Sequence, residues 1–349
     1  MMNKAAKSII ARVASFFAIA ALSQSAAAAS VTYDKTCQEG TEVSLPLSKW
    51  SDKDQKPRGV VLTVHGITES AASLGPLSTS LANDGFLVYG IDLRGHGWWH
   101  YDNDRKVKGY NCDYKQSVKD VNRVLPLLKV EYPDLPIFMI GESVGAAVVL
   151  RAASAAPIMV NGLVLAGTGY RSPHVFTPWV LGDLAKNFYR PNHQVDVTRY
   201  QRRYGTDDLA ALEESFKDPR QRPTMSLREM LGTAAFVRHN RKYARRLDPN
   251  CSVFVVQGEK DQTLTPKSAR RVFAKIPCGD KDMLVVKNCG HILIGTNHVK
   301  PIVSQSITAW LDHHAQPGQL ASTPEHERKQ VDGHAPNAQV AAAPLGVLQ

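Results

Sequence analysis

Short apolar runs recur along the chain, separated by longer stretches with helical spacing. Val60-Val61-Leu62-Thr63-Val64, Phe86 to Ile91, Pro136 to Ile140, Gly162 to Ala166, Ser252 to Val256 and Met283 to Val286 are nearly continuous in apolar residues. That is the pattern of strands buried on both faces, and it belongs to parallel sheets. Between them, Leu77 to Asp84 has helical spacing and stops at Gly85, and Val118 to Tyr132 is amphipathic with Pro126 expected to bend it. Ala146 to Ala153, Pro266 to Lys275 and Ile302 to His313 supply further helices. Strands alternating with helices predict a doubly wound α/β sheet.

Two regions break the alternation. Residues 170–247 are polar, helical in pattern and free of strand-like runs, and Pro173, Pro178, Pro191, Pro219 and Pro223 interrupt them. Such a segment, inserted at the carboxyl end of a strand, is expected to cap the crevice where open α/β sheets meet ligands. It divides the fold into a first part, 30–169, and a second, 248–315. From residue 316 to 349 proline, glycine, alanine and polar residues dominate, the composition of a disordered tail.

The first 29 residues read as a secretory signal peptide. Lys4, Lys7 and Arg12 precede the apolar Val13 to Leu22, and Ala26 to Ala29 offer small residues for cleavage. The apolar part is shorter than the roughly 20 residues a membrane span takes. An exported protein, periplasmic or secreted, is expected. Disulfides are then permitted among Cys37, Cys112, Cys251, Cys278 and Cys289, although an odd count leaves at least one thiol unpaired. Within the cluster Cys251, Cys278 and Cys289, one bridge or buried free thiols are the alternatives, and the spacing fits no zinc site. Losing Lys4, Lys7 and Arg12 lowers the formal charge from +10 to +7. The excess gathers between Arg190 and Arg246 without a nucleic-acid motif, so nucleic acid is not the expected partner. A solvated helical face is the first reading of that excess, and contact with anionic membrane, cell wall or an acidic substrate is the second.

The candidate chemistry centres on Gly141-Glu142-Ser143-Val144-Gly145, which lies where an apolar run gives way to a helix. A serine there occupies a sharp strand-to-helix turn with its hydroxyl exposed, a nucleophile elbow. Serine needs a base to take its proton, and the base needs an orienting acid. Asp261 follows the run ending at Val256, and His291 follows the run ending at Val286. Both are therefore expected at carboxyl ends of strands, facing one crevice, with Glu259 and His298 as their competitors. The tetrahedral intermediate also needs N–H donors for its oxyanion. Val144 directly follows the serine, and Ile67 lies in the loop His65-Gly66-Ile67 after the first buried run.

These segments, together with Asp92-Leu93-Arg94-Gly95-His96-Gly97, resemble the α/β-hydrolase group of monoacylglycerol lipases and lysophospholipases, which also takes in serine-aminopeptidase-like members. The resemblance spans about Val60 to Trp310. It implies an α/β-hydrolase fold and a carboxylic-ester hydrolase acting on a small-molecule or lipid ester. It further implies a Ser143–His291–Asp261 triad, no cofactor and no metal, and a structural role for Asp92 to Gly97. The chain departs from the group where Trp98-Trp99-His100 replaces a small residue, which makes Trp98 and Trp99, with His65, candidate walls of the substrate pocket. A peptidase or an acyltransferase on the same fold is the nearest alternative, and a non-catalytic secreted ligand-binding protein is one of another class.

Overall fold

The computed structural model describes residues 30–101, 111–173 and 178–316. The leader expected over 1–29, and the tail expected from 316 except Gln316 itself, lie outside the described residues. Among the described residues ten strands follow one another: β1 (Val31–Asp34), β2 (Leu47–Asp52), β3 (Val60–Val64), β4 (Leu87–Ile91), β5 (Ile137–Glu142), β6 (Gly162–Ala166), β7 (Gln194–Asp196), β8 (Thr224–Ser226), β9 (Ser252–Gly258) and β10 (Lys281–Val286). Eight of them form one sheet in the order β1-β2-β4-β3-β5-β6-β9-β10. The six strands from β4 to β10 in that order are parallel, whereas β2 runs antiparallel to β4 and β1 to β2.

Alternation along each strand sends side chains to two cores. Val60, Leu62 and Val64 of β3 pack with the helices Tyr114–Glu131 and Val144–Ala155 on one face. Val61, Phe138, Ile140 and Val164 pack with the helices Gly75–Asn83 and Pro301–His314 on the other. The helix Val144–Ala155 is buried at every position from Val144 to Ala153, which suits its Ala and Val content. The helix Tyr114–Glu131 begins four residues before the expected start, because the Asp113 carboxylate accepts the Gln116 N–H at 2.9 Å and caps it. It continues through Pro126 as one helix.

The register places the strand ends together. Val64 pairs with Gly141, Glu142 with Ala166, and Val286 with Gly258. The loops that follow β3, β5, β9 and β10 therefore leave the sheet at one rim, which is how residues far apart in sequence reach one place.

The structure corrects one expectation, adds one element and decides between two alternatives. Strands β1 and β2 carry charged, partly exposed positions and give no continuous apolar run, so the antiparallel edge went unread. The 170–247 insertion holds a short two-stranded antiparallel ribbon, β7 with β8, among its helices. All five cysteines are free. Cys251 and Cys278 sit in one core and Cys289 in the opposite one, and the Cys278 thiol donates to the Asp248 carbonyl at 3.2 Å.

Candidate active site

Close backbone packing builds the elbow after β5. A Cβ on Gly145 would lie 2.2 Å from the Val64 carbonyl oxygen and 2.5 Å from that of His65, and one on Gly141 would lie 2.6 Å from the Gly145 carbonyl carbon. Both positions must be glycine for the helix to start against the end of β3. Ser143 is left at φ 56°, ψ −113°, a conformation costly for a residue with a Cβ and held by these contacts.

Ser143 Oγ lies 2.7 Å from His291 Nε2, and His291 Nδ1 lies 2.8 Å from Asp261 Oδ2. Asp261 accepts from Nδ1–H, which leaves Nε2 as the acceptor for the serine proton. Four donors hold the Asp261 carboxylate: His291, Gln257 Nε2 at 2.6 Å, and the N–H groups of Thr263 and Leu264 at 2.8 Å each. Burial alone would lower the His291 pKa, yet the adjacent Asp261 charge, its hydrogen bond and the more distant Glu142 raise it above the ordinary histidine value. The competitors lie elsewhere. Glu259 is exposed and accepts the Asn288 N–H, and His298 is exposed and pairs with Asp208 at 3.5 Å.

Val144 is the first residue of its helix, so its N–H has no acceptor one turn back and sits at the positive end of the helix dipole. Ile67 lines the same cavities as Ser143. Its loop is pinned from both sides: Glu69 accepts the Gly66 N–H at 2.7 Å, while Arg222 N–H and Gln201 Nε2 from the insertion donate to the carbonyl and hydroxyl of Thr68 at 2.8 and 2.6 Å.

Glu142 was missed as a functional position, although an ionisable residue ending a buried strand was its signal. Its carboxylate accepts three successive N–H groups just past His291, those of Leu293 at 2.6 Å, Ile294 at 2.9 Å and Gly295 at 2.7 Å. Burial, and then the nearby Glu142, push the Glu69 carboxyl well above the usual range, and burial also raises Glu142 against its three amides. A Cβ on Gly295 would lie 2.4 Å from the Glu142 carboxylate and 2.6 Å from that of Glu69. Gly295→Ala is therefore expected to lower stability by about 1–3 kcal/mol, the cost of overpacking, with a matching fall in the urea midpoint. An unchanged midpoint would mean that the two carboxylates can move aside.

The three expected pocket walls do not line the cavities at Ser143. His65 is fully buried, with Nδ1 donating to the Gly66 carbonyl at 2.7 Å and Nε2 accepting the Leu93 N–H at 3.0 Å. Burial lowers its pKa to about 4, so it is a neutral tie between loops. Trp98 N–H donates to Asp92 Oδ2 at 2.8 Å and its ring lies under Lys35 Nζ at 3.3 Å. Trp99 Nε1 donates to the Asp92 carbonyl at 3.2 Å, and its ring stacks under the Arg94 guanidinium. The Trp99 indole packs the Asp92 to Gly97 loop, and the Trp98 indole lies between Lys35 and Arg220.

Two cavities meet at Ser143. One, of about 240 Å³, is lined mainly by apolar side chains, including Val197, Met225, Met230, Leu231, Ala234 and Ile292. The other, of about 920 Å³, is lined by Tyr170, Arg171, Arg238, Arg241, Lys242 and Arg245, with Val144 and Ile67 at its inner end. The insertion supplies most of both linings. Its position is fixed by the buried Arg222, paired with Glu229 at 2.7 Å and donating to the Gly95 carbonyl, and by Gly205, whose carbonyl accepts the N–H groups of His291 and Ile292.

A family model described as serine aminopeptidase, S33, matches residues 55–297. The chain belongs to that family. Among curated proteins, this S33 chain is 24% identical over 271 residues to the monoacylglycerol lipase of Mycolicibacterium smegmatis, covering 75% of this chain and 90% of that protein. It is 23% identical over 290 residues to the caffeoylshikimate esterase of Arabidopsis thaliana, with 78% and 81% covered. Among solved structures, the monoacylglycerol lipase of Paleococcus ferrophilus superposes with a TM-score of 0.63 at 23% identity, covering 77% of this chain and 99% of that one. A soluble variant of the monoglyceride lipase of Saccharomyces cerevisiae gives 0.64 at 19%, covering 85% and 99%. The S33 chain thus has the α/β-hydrolase fold.

Proposed function

We propose that this protein is an exported hydrolase of carboxylic esters that works through an acyl-enzyme. The observation that carries the reading is the unbroken path from Ser143 Oγ through His291 to Asp261, with links of 2.7 and 2.8 Å. His291 takes the serine proton, Ser143 attacks the ester carbonyl, and the N–H groups of Ile67 and Val144 stabilise the oxyanion. The alcohol leaves with the proton held by His291. Water, deprotonated by the same histidine, then releases the acid. The names of the relatives, two lipases of monoacylglycerols and an esterase, support an ester as the substrate.

The family description keeps an aminopeptidase as the second reading. Such an enzyme must hold a protonated amine near the nucleophile. Here five cations are among the residues lining the larger cavity, and the Glu69 and Glu142 carboxylates already accept backbone N–H groups, an arrangement that disfavours a bound ammonium. The expected result with the mature protein is a kcat/KM for p-nitrophenyl butyrate at least about a thousandfold above that for any aminoacyl p-nitroanilide, the margin that about 4 kcal/mol of differential transition-state binding gives. The reverse order would overturn the ester reading in favour of the peptidase. Exposed Phe188, Tyr189 and Leu231 on the insertion support transient contact with a lipid surface during substrate capture. Export rests on the charge and apolar pattern of residues 1–29.

A further inference from the structure

The loop from Gly290 to Gly295 carries the base and has neither helix nor strand to satisfy its backbone, although all of it but the half-buried Ile292 is buried. Buried N–H groups need acceptors, and all six of these have one. Glu142, at the end of the nucleophile's strand, takes the last three, those of Leu293, Ile294 and Gly295. The insertion takes the first three. Asp207 Oδ1 accepts the Gly290 N–H at 2.7 Å, and the Gly205 carbonyl accepts those of His291 at 3.1 Å and Ile292 at 2.8 Å. The same segment reaches the acid: the Tyr204 carbonyl accepts the Thr263 hydroxyl at 3.0 Å, and the Thr263 N–H is a donor to Asp261. The fit is close, since a Cβ on Gly290 would lie 3.0 Å from both the Asp207 nitrogen and the Thr206 Cα. Asp207 Oδ2 is anchored in turn by Lys300 Nζ at 2.6 Å, just ahead of the helix Pro301–His314. Partial burial raises the Asp207 carboxyl, but Lys300 and then the Gly290 N–H outweigh it and hold the group below the ordinary range, so Asp207 is an anion at neutral pH. On its other side the segment faces substrate space, with Tyr200, Gln201, Tyr204 and Gly205 lining the apolar cavity.

We infer that Asp207 is a positioning residue for the catalytic base, and that residues 204–207 of the insertion clamp the loops of His291 and Asp261 in register with Ser143. The inference rests on the triad reading and deepens it: the insertion sets the rate of the chemical step as well as lining the substrate cavities. His291 must keep Nε2 within hydrogen-bond reach of the serine while Nδ1 faces Asp261, and a misplacement of about 1 Å in such a group can cost roughly a hundredfold in rate. A side chain on a loop without regular structure owes that precision to whatever holds the loop. Glu142 holds it downstream of the base. Upstream, without Asp207, the loop keeps only the Gly205 carbonyl, which two donors already share. Asp207 reaches the base through the Gly290 backbone and lines neither cavity at Ser143, so its loss is expected in kcat, with the titration of His291 and the binding of substrate left in place.

Asp207→Ala is expected to lower kcat for p-nitrophenyl butyrate about tenfold, the worth of one hydrogen bond to a charged acceptor, while KM stays within about twofold. Labelling by a fluorophosphonate should slow by the same factor, because it also needs His291 to take the Ser143 proton. The acidic limb of the pH profile should not move. Asp207→Asn should recover most of kcat: its amide oxygen can still accept from Gly290, whose N–H is fixed, while the exposed Lys300 side chain can turn away. Gly290→Ala opens the same contact from the other side and should lower kcat comparably. The double variant Asp207→Ala/Gly290→Ala should be no slower than the worse single, since two substitutions that break one contact do not add. His298→Ala, which removes the neighbouring exposed pair with Asp208 and touches none of these amides, should keep the parental kcat. If Asp207→Ala does not fold, Asp207→Asn and Gly290→Ala carry the test. A parental kcat in Asp207→Ala, a loss expressed in KM alone, or single effects that multiply in the double variant would overturn the clamp. A parent without Ser143-dependent turnover or labelling would instead overturn the triad reading beneath it.

Discussion

Ser143→Ala is expected to lower kcat for p-nitrophenyl butyrate by roughly a millionfold, the scale on which removal of a triad serine acts in other hydrolases. The reasoning starts from geometry. His291 Nε2 has one hydroxyl at 2.7 Å to deprotonate, and alanine offers nothing in its place. Residual turnover would come from the oxyanion donors and binding alone. The fold should not suffer, because the Ser143 side chain makes no cap to its helix, and the strained φ of 56° is set by backbone packing that alanine shares. Thermal unfolding within about 1 °C of the parent, a shift of under about 1 kcal/mol for a chain of this size, would exclude unfolding as the cause. A fluorophosphonate should add its mass to the parent and leave the variant unlabelled. Retention of a tenth of the activity would remove Ser143 from the mechanism.

What could be read from the chain, and what could not, follows from the range of the interactions. Strands β3, β5 and β6 are buried on both faces, so their sequences are almost wholly apolar and visible in short windows. Strands β1 and β2 are half exposed and include Asp34, Lys49 and Asp52, and the pairing that makes them strands lies in their partners. Ser143, Asp261 and His291 were legible because each follows a strand, and strand ends share one rim. Glu142 was not, because its contacts with Leu293, Ile294 and Gly295 join residues more than 150 positions apart. His65, Trp98 and Trp99 misled for the converse reason. Their types suit a pocket, but His65 accepts the Leu93 N–H, the Trp99 indole donates to the Asp92 carbonyl and the Trp98 ring lies under Lys35, contacts set by the folded chain. The arginines were visible as charge in a plausible solvated face. Arg171, Arg238, Lys242 and Arg245 are indeed exposed, whereas Arg222 is buried against Glu229, a difference that only the folded insertion makes.

Asp261→Asn is expected to cost about four orders of magnitude in kcat, the effect that the same change has on a serine triad elsewhere. The hydrogen bonds around Asp261 specify why. Both carboxylate oxygens accept two donors each: Thr263 and Leu264 N–H on Oδ1, and Gln257 Nε2 and His291 Nδ1 on Oδ2. An amide cannot accept on both sides. The two backbone N–H groups cannot be reversed, whereas His291 can change tautomer, so the new NH₂ is expected to face the ring. Nδ1 then becomes the acceptor and Nε2 carries the proton, which leaves Ser143 facing a donor instead of a base. The variant should also change the pH dependence, and the sign is fixed. Neutral His291 is the active form, so kcat/KM falls as pH drops through its pKa. In the parent, the Asp261 charge and hydrogen bond hold that pKa above the ordinary value despite burial. Without them burial prevails, so the acidic limb of the profile should move to lower pH while the plateau drops. A residual-activity profile whose acidic limb stays in place would show that another group controls the titration. A plateau within tenfold of the parent would show that Asp261 only supports the loop.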